Sequence, residues 1–80
     1  MTEQKQDPKK EVQDLGRRFK KIEEEDLLPG PSVSKTIRAK IRTLEELGDN
    51  APPLEVAELR GAILVLEERA AKIRRKLRSE

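Results

Sequence analysis

The sequence predicts an all-α fold, a small three-helix bundle or a helical hairpin with a long C-terminal amphipathic helix, and three observations carry that expectation. Apolar residues recur at spacings of three and four along most of the chain and nowhere alternate with the period of two that marks a half-buried strand. Two clusters of helix-breaking residues, Pro29-Gly30-Pro31 and Gly48 through Pro53, divide the chain into three segments. The vocabulary is that of long helices: 42% of the 80 residues are charged and 34% hydrophobic.

The first helix is expected over about residues 8–28, after a loose tail of residues 1–7. Asp7 suits the N-cap and Pro8 the first helical position. Val12, Leu15, Phe19 and Ile22 then follow at spacings of three and four, giving one apolar face. The Pro-Gly-Pro sequence stops this helix, because proline removes an amide donor and restricts the residue before it.

The second helix is expected over 33–47, capped by Ser32 or Ser34, with Val33, Ile37, Ile41, Leu44 and Leu47 on one face and Gly48 as the stop. Asp49 to Pro53 makes the next connection. The third helix, 53–79, has the clearest signal: Val56, Leu59, Ile63, Leu66, Ala70, Ile73 and Leu77 form a heptad seam. A helix of that span is about 40 Å long at 1.5 Å per residue. Short connections favour antiparallel neighbours, hence a single domain over 8–80 arranged up, down, up. Helices one and three then run parallel, which brings Glu23 to Asp26 toward the basic stretch Arg69 to Arg78.

The amino-acid inventory narrows the function classes. There is no cysteine, histidine, tryptophan or tyrosine, so disulfides, thiolate metal sites and the commonest proton shuttle are missing. A thin core offers little burial with which to shift a carboxylate pKa for acid–base work. We expect no enzyme activity, catalytic residue, metal, cofactor or small-molecule substrate. The longest apolar run is Ala62 to Leu66, which leaves no membrane span, and a cytoplasmic, soluble protein is the expectation.

What remains is binding. The second helix, at about 15 residues, ends opposite roughly residue 67 of the third, so Ile73 and Leu77 lack a cover within the chain. A protein partner or a second copy is the expected cover. The expected contact residues are Leu66, Ala70, Ile73 and Leu77, oriented by Arg69, Arg74 and Lys76. A coiled-coil dimer is one such assembly, but a parallel one sets Arg69 at g against Arg74 at e, a like-charge contact. Gly61 costs about 1 kcal/mol relative to alanine inside a helix. Either a close helix approach or a tolerated surface position accounts for it.

Nucleic-acid binding is the alternative, through Lys35, Arg38 and Arg42 on the second helix or Arg75 and Arg78 at the basic end. Ser32 through Gly48 resembles the recognition helix of bacterial helix-turn-helix regulators, with serines at its start, cations along it and a Leu-Glu-Glu-Leu-Gly close. The resemblance implies that Ser34, Lys35, Arg38 and Arg42 face the major groove or its phosphates. It covers about a fifth of the chain, and the segment after it leads into a helix where those regulators often place a β-wing. Net charge is only +2, and Phe19 is the sole aromatic residue for base stacking.

Overall fold

The computed structural model describes residues 7–78. It contains α1 (Pro8–Glu24), α2 (Pro31–Leu47) and α3 (Pro53–Arg78), with a short 3-10 turn at Gly48–Asn50 between the last two. The protein is a three-helix bundle. The expected loose tail before Asp7 and the last residue of the expected third helix lie outside the described residues.

Local chemistry sets each boundary. Asp7 is the N-cap of α1, its Oδ1 accepting from the Lys9 amide at 3.2 Å, and Pro8 follows at the first helical position. The helix ends at Glu24, four residues before the expected limit. Asp26 takes a left-handed backbone with φ of +60°, while its N–H reaches the Glu23 carbonyl and that of Leu27 reaches the Ile22 carbonyl. This is a Schellman closure, with aspartate where glycine usually stands. It folds Leu27 back against the core.

Helix α2 starts at Pro31, two residues earlier than expected, with Gly30 as N-cap and no side-chain cap. Proline at the first position displaces Ser32 and Ser34 into the first turn, so neither serine caps the helix. Gly48 ends α2 with φ +55° and ψ −122°, a backbone that L residues rarely adopt. Leu47 is 41% exposed and not part of the apolar face as expected, since it is rotated off the line of Ile37, Ile41 and Leu44.

The core is made by Val12, Leu15, Phe19 and Ile22 of α1, Ile41 and Leu44 of α2, Ala51, and Val56, Leu59, Ile63, Leu66 and Ala70 of α3. Leu27, Leu28, Val33 and Ile37 pack against it half-buried. Helix α1 packs on both others. The body measures 47 × 32 × 17 Å, a flattened shape that leaves long faces of the helices in solvent.

Three ion pairs fix how α1 and α3 align. Arg60 Nε donates to Glu11 Oε2 at 2.5 Å, Arg18 forks onto both oxygens of Glu67 at 2.8 and 2.7 Å, and Arg74 Nε donates to Glu25 at 2.9 Å. Each pair spans 49 positions, a whole number of heptads. Taking the apolar seams as a and d, Glu11 and Arg18 occupy g on α1 and Glu25, its C-cap, the next g, while Arg60, Glu67 and Arg74 occupy e on α3. That is the pairing of a parallel coiled coil. It sets Val12 level with Val56, Leu15 with Leu59, Phe19 with Ile63 and Ile22 with Leu66. The alternating signs specify the register, because a slip of one heptad sets Glu11 against Glu67 and Arg18 against Arg74.

A fourth contact sets the antiparallel helix. Lys40 Nζ lies 3.7 Å from Glu55 and 3.9 Å from Glu58. Running from there at equal rise, Pro31 comes level with residues 64 to 67 of α3.

Candidate partner-binding surface

The last turns of α3 project beyond the other two helices, and the connection after α1 is the final cover. Two contacts hold that connection in place: Arg69 Nη1 donates to the Leu27 carbonyl at 2.7 Å, and Arg74 reaches Glu25. Beneath it Ala70 is fully buried. One turn on, Ile73 is half-buried, and Leu77 is 68% exposed. The apolar seam of α3 therefore outruns its cover by about one heptad.

The expected contact residues fall into three groups. Leu66 and Ala70 lie in the core of the chain itself, so a partner cannot touch them while the bundle is closed. Arg69 and Arg74 are spent on the α1 connection. Ile73, Lys76 and Leu77 face outward or half outward, and Ile73 floors a shallow groove walled by Arg69, Lys72, Arg75 and Lys76. Arg75 and Arg78 are exposed on the same end. The acidic cluster divides as well: Glu25 reaches the basic end, while Glu23 turns to α2.

On α2, Lys35 and Arg42 are exposed, and Arg38 is paired with Glu23 and lies 3.3 Å from Ser34 Oγ. Ser34 Oγ donates to Glu23 Oε2 at 2.7 Å. That hydrogen bond, followed by Arg38, holds the Glu23 carboxyl below the usual carboxylate range. The Glu67 carboxyl is likewise lowered by its hydrogen bonds from Arg18, whose guanidinium is raised in return. A groove between α1 and α2 adds Arg17 and Lys20 to the cations expected on α2, but Glu23 and Glu45 line it too. Phe19, the expected stacking residue, is only 2% exposed and belongs to the core.

Sequence reasoning passed over Leu54, Leu64 and Val65, which are 72%, 44% and 64% exposed on the outer side of α3. Their signal lay in the run Ala62 to Leu66, where Leu64 and Val65 stand off the heptad seam. Among the described residues no polar or charged side chain is buried. Among them also, no group of His, Cys, Asp or Glu is placed to hold a metal, and no helix is long and apolar enough to cross a membrane. No protein-family model, curated protein or solved structure matches this chain.

Proposed function

We propose that the chain is a non-enzymatic helical interaction module that binds a protein partner at the overhanging end of α3 and self-associates through that helix. The supporting observation is the seam that outruns its cover, leaving Ile73 half-buried and Leu77 68% exposed among cations. An apolar seam with basic flanks suits a partner helix with a matching apolar stripe and acidic flanks. Burying one large apolar side chain fully contributes about 1.5–3 kcal/mol, so two such residues supply a modest affinity that flanking charge can raise.

The test is calorimetric titration of the full chain with a designed amphipathic helical peptide bearing leucines on one face and glutamates beside them. Binding that weakens with salt and disappears in the Leu77→Asp variant supports the module reading. Equal binding by Leu77→Asp defeats it.

Nucleic-acid binding is a second reading, favoured by Arg17 and Lys20 standing across the α1–α2 groove from Arg38. The carboxylates lining that groove and the burial of Phe19 weigh against it. A duplex that fails to bind at low salt ends this reading.

A further inference from the structure

Opposite its buried seam, α3 carries a second apolar face that nothing in the monomer covers. At 3.6 residues per turn, Leu54, Ala57, Gly61, Leu64 and Val65 gather on the side away from Ile63 and Ala70. Ala57 and Gly61 are exposed, and so are the three large side chains among them. A contiguous apolar patch of this kind on a small charged protein marks an interaction surface. Gly61 sits at its centre. A Cβ added there meets nothing within 4 Å, so this glycine serves no close approach inside the bundle.

Charge along α3 selects the occupant. From Pro53 to Glu68 there are four carboxylates and one arginine, and from Arg69 to Arg78 there are six cations and no acid. Laid antiparallel, two such helices oppose their macrodipoles. The basic end of each then runs toward the α2–α3 turn of the other, where Glu46 and Asp49 are exposed. Laid parallel, they set six cations beside six. A partner of uniform charge is repelled at one end or the other.

We propose that the outer face of α3 is the interface through which two copies of this chain pair antiparallel, crossing near Gly61. The proposal rests on the self-association in the reading above, but moves it to the opposite face of the helix from the seam. Ile73 and Leu77 then stay available to a different partner.

Light scattering over a wide concentration range, on the full chain and two exposed-site variants, tests the interface. The expected result is a dimer of the 9.2 kDa chain whose Kd rises about tenfold or more in Val65→Glu and is unchanged in Leu77→Gln, which leaves the basic end's charge intact, with helical signal retained in both. Orientation is read from single cysteines, since the chain has none of its own. Leu54→Cys and Val65→Cys variants should cross-link to each other on mixing, and neither to itself. A monomer at every concentration overturns the proposal, as does self-cross-linking of both variants, which means a parallel pair. Association lost in Leu77→Gln but kept in Val65→Glu also overturns it, by placing the contact at the overhang. A monomer also ends the self-association half of the reading above, whereas the other two outcomes refute this interface alone, and the peptide titration at the overhang is indifferent to all three.

Discussion

The charge ladder between α1 and α3 makes a quantitative demand on Arg18 and Glu67. Their side chains are 33% and 32% exposed and meet through two hydrogen bonds of 2.8 and 2.7 Å. Exposed pairs are worth about 0.2–1 kcal/mol, and the forked geometry places this one toward the upper end even after solvent screening. A cycle of Arg18→Gln, Glu67→Gln and the double variant should therefore show a coupling of about 1 kcal/mol. In a chain of this size that corresponds to about 4–8 °C in melting temperature. Urea and thermal melts followed by circular dichroism measure it, at one protein concentration because a dimer makes melting concentration-dependent. The coupling should also vanish in acid. The Glu67 carboxyl is held low in the folded state, so that state binds fewer protons than the unfolded chain in this range. Its contribution is complete above the unfolded value of about 4.3 and is lost as pH falls through the lower folded value. A coupling below about 0.3 kcal/mol at neutral pH, or one that persists at about pH 2, refutes the account of the ladder.

Two further substitutions read the fold from other sides. Asp26 holds a left-handed backbone with φ +60°, so Asp26→Gly should raise stability by about 0.5–1 kcal/mol despite the added chain entropy, seen as a later urea midpoint. Ile63→Ala should cost about 2–5 kcal/mol, because Ile63 is fully buried at the level of Phe19, while Leu64→Ala, one residue along, should change monomer stability by under about 0.5 kcal/mol. Equal losses at positions 63 and 64 would mean that the seam faces elsewhere.

The helical class and the heptad seam are legible because spacing alone reveals which residues share a face. All seven expected seam positions of α3 lie on one side in the structure, five of them buried. The end of α1 is not legible in the same way: the left-handed residue that stops it is an aspartate, and sequence offers a clear stop signal only at Pro29. The serines at the start of α2 look like caps until Pro31 takes the first helical position. The alternating signs of Glu11, Arg18 and Glu25 against Arg60, Glu67 and Arg74 were present in the sequence. They become a ladder only once two helices are set parallel with a defined offset, which no single-helix pattern contains. Sequence reasoning treated Glu23 to Asp26 as one charge cloud, whereas helical rotation sends Glu23 to Ser34 and Glu25 to Arg74. The outer face of α3 was missed for a related reason. A strong seam draws attention to one side of a helix, and Leu54, Leu64 and Val65 lie on the other.

Magnitudes decide how such an outer face would behave. Burying Leu54, Leu64 and Val65 on two copies, from exposures of 44% to 72%, contributes on the order of 5–10 kcal/mol. Association itself costs about 4–15 kcal/mol in lost freedom of motion, so apolar contact alone brings the pair close to balance. The asymmetric charge of α3 then becomes decisive, since it adds favourable contacts in one orientation and repulsion in the other. These charges are exposed and screened within about 10 Å at 0.1 M salt. A dimer held in this way is weak and salt-sensitive, whereas the bundle beneath it, held by a buried apolar seam and a part-buried Arg18–Glu67 pair, is not. Raising salt should therefore separate the assembly from the fold, dissolving the pair while each chain keeps its helices.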